Sequence, residues 1–327
     1  MIRLKFSQRV NYYLIGPTPP PLGGVSVFVY RLAYVLKENG EEVRIVDLYK
    51  MSKIEKMFFF LSIIINPKPA IYHLHSYNFL LMIALIFRPF KSSLIFHEHS
   101  GRLVKYLPKI KKLILNTYLK KLDECVFVGE HIPAYYQENG ITPPANFKIE
   151  NSFLPPPLAD EQTILDSYSP ETKSFISSHF PLIVANAYKL VFYEGIDLYG
   201  LDMCVQLTAK LKTYFPDLGI LFALAEIGDQ KYFQDINMGI IRENLQNNFH
   251  FLLGQKELWP IFKNANLMIR PTYVDGFGVS VAEALYFNCP AIASNVCKRA
   301  EGTVYFENRN IDDLIVKVLE VINGTAR

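Results

Sequence analysis

The sequence lacks the signals of several large classes of protein. Its 327 residues include only four cysteines, and no two of them form a C-x-x-C pair, so neither a disulfide framework nor a zinc ribbon is expected. The most apolar runs, at 57–65 and 79–87, fall well short of the roughly 18–20 residues that a membrane-spanning helix requires. The stretch 1–16 lacks a long apolar run followed by a small-residue cleavage site, so no secretion signal is expected there. We therefore expect a cytoplasmic chain.

A strong charge of either sign is also absent. The formal net charge is +3, which is too small to indicate a nucleic-acid partner. Hydrophobic residues make up 50% of the chain and charged residues 20%, so the chain can bury sizeable cores and is not disordered. Because 327 residues exceed what one core usually supports, two domains are expected.

Short β-like runs alternate with helix-like segments along both halves of the chain, which predicts parallel α/β sheets covered on both faces. A polar stretch with three consecutive prolines, at 152–174, interrupts the alternation and reads as an interdomain connection. We predict doubly wound domains at 1–155 and 175–327. The β-like runs are 11–16, 42–49, 70–75, 93–99, 124–129, 147–151, 181–188, 218–226, 248–254, 265–271 and 289–294.

The stretch 270–287 places two carboxylates eight positions apart across a glycine-rich turn. Gly276 and Gly278 lie between a strand-like and a helix-like run, and backbone N–H groups at the start of a helix suit a diphosphate. Asp275 and Glu283 could accept hydrogen bonds from vicinal hydroxyl groups. The pattern indicates a sugar nucleotide. The alternative is that Ser280 and Glu283 form a capping box that only starts the helix.

The same stretch resembles the acidic-x7-acidic motif of the retaining glycosyltransferases of family 4, with Asp275 where that family usually has Glu. The resemblance implies the GT-B architecture, in which two facing Rossmann-like domains enclose an interdomain cleft. It implies an acceptor-binding first domain, a sugar-nucleotide-binding second domain and transfer with retention. Further pieces that resemble the family lie at 23–47, 74–76, 97–101, 126–140, 148–153 and 249–272.

The resemblance also implies residue roles. Glu283 would bind the ribose hydroxyls, Asp275 the hydroxyls of the transferred sugar, and the backbone of Gly276, Phe277 and Gly278 would approach sugar and phosphate. Gly254, followed by Gln255, would lie near the base. In the first domain, Gly23 and Gly24 would approach the phosphates or the acceptor, and His99 would lie near the reacting carbon. His73, His75 and His97 would have a structural role. His97 and His99 also have the spacing of metal ligands, but no third ligand is evident.

Two departures from the family pattern concern the donor diphosphate. Lys189 stands where the family usually has Arg, and Glu194-Gly195 stands where it has Lys-Gly. We predict that Arg270 offsets the second phosphate charge, with Lys298 and Arg299 further away. No Asp-x-Asp occurs in the chain, so we expect no metal and no cofactor besides a UDP- or GDP-sugar substrate.

The segment 101–124 mixes seven Lys or Arg with apolar residues, a pattern typical of a helix that lies on an anionic membrane. A core-facing helix with a solvated lysine face is the alternative. We predict a saccharide or lipid-linked saccharide acceptor in surface polysaccharide synthesis, with a peripheral contact to the inner membrane face. An oxidoreductase is disfavoured because no G-x-G-x-x-G follows a predicted strand. A non-catalytic sugar-binding protein and a GT-B sugar-nucleotide epimerase remain alternatives.

Overall fold

The computed structural model describes residues 11–325, which divide into two compact units. The first unit contains the described residues up to Pro19 together with Gly24–Leu154, and the second contains Pro20–Gly23 and the chain from Pro155 onward. Residues 1–10 and 326–327, which the predicted domains include, lie outside the described residues.

The first unit is a six-stranded parallel sheet with helices between successive strands, in the strand order β2-β1-β3-β4-β5-β6. The strands are β1 (Asn11–Ile15), β2 (Val43–Val46), β3 (Ala70–Leu74), β4 (Ser92–Glu98), β5 (Glu124–Phe127) and β6 (Phe147–Ile149). The helices are α1 (Gly24–Glu38), α2 (Lys53–Ile65), α3 (Phe79–Ile86), α4 (Lys109–Leu119) and α5 (His131–Glu138), with a 3₁₀ turn at Arg102–Tyr106.

Strand β3 lies in the middle of this sheet, and all five of its side chains are buried. Continuous burial is expected of a parallel strand that is covered on both faces, and β3 is apolar except for His73. Helix α1 covers one face by burying Phe28, Val29 and Ala33. Helix α2 begins at a capping box in which Ser52 and Glu55 satisfy each other's backbone N–H groups.

The second unit repeats the design with the strand order β11-β10-β7-β12-β13-β14, again all parallel, plus a short antiparallel hairpin. The strands are β7 (Leu182–Leu190), β8 (Phe192–Tyr193), β9 (Ile196–Asp197), β10 (Gly219–Gly228), β11 (Phe249–Leu253), β12 (Leu267–Arg270), β13 (Ala291–Ser294) and β14 (Val304–Phe306). The helices are α6 (Glu161–Asp166), α7 (Pro170–Ser178), α8 (Leu201–Leu211), α9 (Gln230–Arg242), α10 (Trp259–Phe262), α11 (Val279–Tyr286) and α12 (Ile311–Thr325), with a 3₁₀ turn at Leu158–Asp160.

Two hydrophobic cores lie on opposite faces of this second sheet. Ile183 on β7 points into the core that contains residues of α8 and α12, whereas Val184 points into the core that contains Trp259 and Val281. Successive side chains of a strand point to opposite faces, so one apolar strand supplies both cores. This alternation is the physical basis of a doubly wound domain.

The predicted α/β architecture is confirmed, and most of the predicted strands agree with the observed ones to within two or three residues. Strand β14 and the hairpin β8–β9 were not predicted from the sequence. The proline-rich connection at 152–174 belongs mostly to the second unit and contains α6 and the start of α7. None of the helices within residues 11–325 combines the length and apolar character that crossing a bilayer requires.

Candidate functional site

A turn at the carboxyl end of β12 carries most of the predicted donor-binding residues. The turn runs from Arg270, the last residue of β12, to Gly278, which immediately precedes α11. Gly278 has φ 79°, a left-handed conformation that glycine adopts without strain. The carboxyl ends of parallel strands are where open α/β sheets bind ligands. The sequence therefore located this turn correctly between a strand and a helix.

Asp275 lies between two arginines in this turn. Its Oδ2 accepts hydrogen bonds from Arg270 Nε at 2.9 Å and from Arg299 Nη1 at 2.6 Å. The side chain of Arg299 is 0% exposed and that of Asp275 is 14% exposed. Two guanidinium groups therefore share one carboxylate in a region largely removed from water, and the cluster carries one net positive charge.

Arg299 is held by neutral groups as well as by Asp275. Its Nη2 donates to Thr272 Oγ1 at 3.1 Å, and its Nη1 donates to the Phe277 carbonyl at 3.2 Å. A Cβ atom built on Gly278 would lie 2.3 Å from Arg299 Nη1, so only glycine allows the guanidinium to reach Asp275. The sequence predicted Arg299 to lie further from the diphosphate than Arg270, and it did not indicate that Arg299 anchors the acidic motif.

Arg270 connects this cluster to two neighbouring elements. Its Nη1 donates to Asn186 Oδ1 on β7 at 3.1 Å and lies 3.4 Å from Ser280 Oγ in the first turn of α11. Each of these contacts orients a guanidinium whose planar fork suits an oxyanion. Arg270 is thus positioned by a strand, a helix and Asp275 together.

The arginines determine the charge of Asp275. Burial alone would raise the pKa of Asp275, but the charges of Arg270 and Arg299 outweigh burial and hold that pKa well below its ordinary value. Burial alone would lower the pKa of Arg270, and Asp275 raises it instead. The cluster is therefore fully ionised throughout the neutral pH range.

Glu283 lies on α11 and is only 7% exposed. The capping-box alternative for this residue is wrong, because α11 begins at Val279 after Gly278 and no side chain caps it. Ser280 is consequently the second residue of the helix and not its cap.

The remaining predicted residues of the second unit lie on neighbouring strand ends. Lys189, near the end of β7, lies with its Nζ 5.9 Å from the ring centre of Tyr188. Glu194 and Gly195 form the turn of the β8–β9 hairpin, with φ 51° and 79°. Gly254, just after β11, has φ 94° and open space around its Cβ position.

The glycine pair that the sequence singled out is divided between the two units. Gly24 begins α1, and a Cβ atom added to it would have no neighbour within 4 Å, whereas Gly23 groups with the second unit. Within the second unit, the Leu22 N–H donates to Gln255 Oε1, and Gln255 Nε2 donates to the Ala225 carbonyl at 3.2 Å. Gln255 therefore holds the segment Pro20–Gly23 in place.

Four histidines form a stack at the carboxyl ends of β3 and β4 in the first unit. The rings of His97 and His99 lie 4.7 Å apart with an interplanar angle of 14°, as expected for residues that alternate on one face of a strand. His73 and His75 extend the stack from β3, and His75 Nδ1 lies 3.2 Å from His99 Nε2. Phe28 from α1 covers the stack, with its ring centre 4.7 Å from that of His97.

Burial keeps these imidazoles neutral. It lowers the pKa of His97 to about 3 and lowers the pKa of His99 well below its ordinary value, an effect that neighbouring histidines reinforce. His73 accepts or donates a hydrogen bond at Nδ1, 2.8 Å from the Tyr12 hydroxyl. At physiological pH, His99 is therefore uncharged and can donate or accept a hydrogen bond.

Glu98 lies on the opposite face of β4 and fixes the chain around His99. Its Oε2 accepts hydrogen bonds from the hydroxyls of Tyr77 and Tyr136, and its Oε1 accepts from the N–H groups of Ser100 and Gly101 at 3.1 and 3.0 Å. Glu98 thus connects the turn after His99 to the side chains of Tyr77 and Tyr136. The sequence did not indicate a role for Glu98, which is a positioning residue for this turn.

The histidine stack is also the cluster within residues 11–325 that could hold a metal ion. One ring nitrogen from each of His73, His75 and His97 lies within 4.8 Å of the others. This group includes His97 but not His99 of the predicted pair, and its other two members come from β3 and the residue just after it. The three rings, however, are close to parallel, at interplanar angles of 22–32°. Histidines around a tetrahedral ion instead direct their ring edges to one point, and stacking describes this arrangement better.

The fold and part of the sequence are similar to known glycosyltransferases. Residues 185–324 match the family described as "Glycosyl transferases group 1". This match supports assignment of the second unit to glycosyltransferase group 1. No curated protein matches the chain by sequence.

Solved structures are similar over almost the whole chain. HepE of Anabaena, crystallised with UDP, has a TM-score of 0.68 at 10% identity, covering 97% of this chain and 91% of that one. A glycosyltransferase from Rickettsia africae has a TM-score of 0.69 at 15% identity, covering 97% of this chain and 89% of that one. A UDP-forming trehalose-phosphate synthase from Burkholderia xenovorans has a TM-score of 0.65 at 13% identity, covering 96% of this chain and 92% of that one. These likenesses confirm the GT-B fold.

Proposed function

We propose that the chain is a glycosyltransferase that moves a glycosyl group, most simply a hexosyl group, from a nucleotide-diphosphate sugar to a saccharide or lipid-linked acceptor. The observation that carries the proposal is the buried Arg270–Asp275–Arg299 cluster at the amino end of α11. A fixed positive charge beside the backbone N–H groups of a helix start stabilises a diphosphate. The match of residues 185–324 to glycosyltransferase group 1 supports the same conclusion.

In this proposal the diphosphate binds against Arg270. Arg299 has no exposed surface, so it acts on the donor through its charge and through Asp275. Together, the direct contact of Arg270 and the charge of Arg299 would neutralise the diphosphate even though Glu194 stands at the position where family 4 usually has Lys. Lys189 supplies a further positive charge at the end of β7.

The two acids then bind hydroxyl groups. Asp275 directs Oδ2 to the arginines, while Oδ1 accepts the Gly276 N–H at 2.9 Å and has room for one more donor, such as a sugar hydroxyl. Glu283 binds the ribose hydroxyls. The shorter Asp275, in place of Glu, favours a donor sugar other than the family's commonest ones.

We further propose that transfer proceeds with retention, as in family 4. The acceptor oxygen forms a bond to the anomeric carbon on the face from which the diphosphate leaves. The bond between that carbon and the phosphate oxygen breaks, and its electron pair stays with the departing diphosphate. The proton of the acceptor hydroxyl passes to the departing phosphate. Neutral His99 would hydrogen-bond near the reacting carbon without repelling the positive charge that develops there.

Nucleotide release from a panel of UDP- and GDP-sugars, with and without lipid-linked or free saccharide acceptors, tests the proposal. We expect rapid release only with an acceptor. Asp275→Asn and Glu283→Gln should each lower kcat/KM at least about 100-fold, the order expected when one transition-state contact is lost. Arg309→Lys, in a partly exposed pair with Asp202, is the matched control and should retain turnover. Acceptor-independent turnover would instead indicate an epimerase or hydrolase.

A further inference from the structure

Helix α2 exposes an apolar stripe to solvent. Its buried side, with Phe59 and Ile63, faces the unit's core, while the opposite side shows large apolar residues at helical spacing. Ordinary surface helices place charged residues on that side. The exposed apolar residues of α2 are Ile54, Met57, Phe58, Leu61, Ile64 and Ile65.

The neighbouring elements of the first unit continue this surface. Helix α3 packs against both α2 and α4. Lys111 Nζ on α4 lies 5.2 Å from the ring centre of Phe79 on α3, and Arg88 after α3 donates to carbonyls of Ile63 and Lys68. The exposed apolar residues that α3 and α4 add, including the residue that ends α3, are Leu80, Phe87, Ile110 and Leu113. We call the surface formed by these ten residues the α2–α4 face.

Positive charge is concentrated around the same face. Residues 51–122 contain twelve Lys or Arg but only two acids, although the whole chain has a net charge of only +3. Glu98 is buried, and Glu55 is exposed but offsets only one of these positive charges. Lys105, Lys109 and Lys111 are exposed beside the apolar residues.

This combination matches the chemistry of an anionic bilayer surface. Exposed apolar patches of this extent mark interaction sites, and basic residues around them attract anionic headgroups while apolar side chains enter the acyl boundary. A second copy of the chain fits poorly, since two such faces would bring like charges together. No helix within residues 11–325 can span a bilayer, so the contact lies at the surface.

We propose that the α2–α4 face docks the chain on an anionic phospholipid surface. The 101–124 segment, on which the predicted membrane contact was based, supplies mainly lysines, and α2, which contains the apolar run at 57–65, supplies most of the apolar contact. The inference deepens the proposed function, because docking brings a lipid-linked acceptor to the enzyme. It does not depend on which donor is bound.

Co-sedimentation of the full chain with phosphatidylcholine vesicles, with and without phosphatidylglycerol, tests the inference at low and high salt. We expect binding to the phosphatidylglycerol vesicles that weakens with salt. Lys109→Glu combined with Lys111→Glu should lower partitioning about 25-fold, taking about 1 kcal/mol, or fivefold, for each basic residue. Phe58→Ser should lower it about tenfold or more.

Matched controls lie on α9 of the second unit. Ile241 is 58% exposed, close to the 62% of Phe58, and Lys231 is an exposed lysine. Ile241→Ser and Lys231→Glu should bind vesicles like the unaltered chain. Equal binding by the α2–α4 variants and these controls would overturn the inference, as would a dimer that Phe58→Ser dissociates without any vesicle binding.

A donor titration separates this inference from the proposed function. Nucleotide-sugar binding, followed through the single tryptophan, Trp259, should be the same in the α2–α4 variants as in the unaltered chain. Vesicle binding without any nucleotide-sugar binding would leave the docking surface standing and remove the proposed transferase function.

Discussion

The carboxyl ends of the two sheets carry opposite kinds of side chain. At the first sheet, four stacked histidines are neutral because burial lowers the pKa of each. At the second, Arg270, Asp275 and Arg299 are all ionised and hold one another in place. Burial acts on both groups, but only the second has opposite charges close enough to outweigh it.

This difference shows how one fold can supply two kinds of chemistry. A fixed net positive charge suits a diphosphate, and an uncharged imidazole stack suits a neutral sugar hydroxyl and a developing positive charge. The topology of the two sheets is nearly the same. The proposed functional distinction therefore depends on a few residues at or just after the ends of β3, β4, β12 and β13.

Replacing Arg299 should produce the largest effect. Arg299→Ala leaves Asp275 with one arginine and leaves Thr272 without its guanidinium partner. Breaking a buried ion pair in this way costs about 3–5 kcal/mol of unfolding free energy. Urea unfolding and donor turnover should both show the loss.

The surface pair of Arg309 and Asp202 is the comparison for that result. These side chains are 28% and 27% exposed, so Arg309→Ala should cost within about 1 kcal/mol. Equal losses of unfolding free energy in Arg299→Ala and Arg309→Ala would mean that the buried cluster stabilises the fold no more than an exposed ion pair does.

Gly278→Ala should have the next largest effect. An alanine at φ 79° is strained, and its Cβ would displace Arg299 Nη1 from Asp275, at a cost of at least about 2 kcal/mol. Gly24→Ala, in the first turn of α1 with open space around it, should instead be neutral or stabilise by about 0.5–1 kcal/mol. Thermal unfolding of both variants provides the comparison, and a stable Gly278→Ala with full turnover would contradict the described contact.

The pH dependence of stability should differ between the two units. Below pH 6.5 the unfolded chain binds a proton at His97 that the folded unit does not, so stability falls as the pH decreases toward about 3. The expected slope is about 1.4 kcal/mol per pH unit for this residue. The pKa of Asp275 is held low, so its contribution remains until the pH falls below the ordinary range of a carboxyl group.

Hydrogen exchange measured at pH 7 and at pH 5 should reveal this difference between the two units. As the pH is lowered, amide protection should be lost first in β3 and β4. His97→Gln removes one titrating group and should flatten the pH dependence even if it lowers stability throughout. Protection that falls equally in both sheets, or a slope that His97→Gln leaves unchanged, would contradict the assignment.

Local features of the fold could be predicted from the sequence. The apolar runs bounded by glycine and proline located most strands, and the glycine-rich stretch placed Asp275 in a turn before a helix. The helix itself starts at Val279, so the apparent capping box of Ser280 and Glu283 was wrong. Short patterns define an element but not the residue at which its first turn begins.

Contacts between distant positions could not be predicted in the same way. Arg299 lies 24 residues after Asp275, and only the pairing of β12 with β13 brings the two loops together. The two H-x-H patterns on β3 and β4 were visible, but their stack depends on those strands being neighbours in the sheet. Knowledge of strand order would have predicted both clusters.

Titration of the full chain with a panel of UDP- and GDP-sugars, in the presence of a chelator, tests the central claim most directly. Trp259 packs against Phe287 just after α11, at a ring distance of 5.4 Å, and its fluorescence should report occupation of the turn. We expect saturable binding of at least one nucleotide sugar, weakened at least about tenfold in Arg270→Gln by loss of a charged contact to phosphate. Absence of binding by every donor, or equal affinity in Arg270→Gln, would contradict the account.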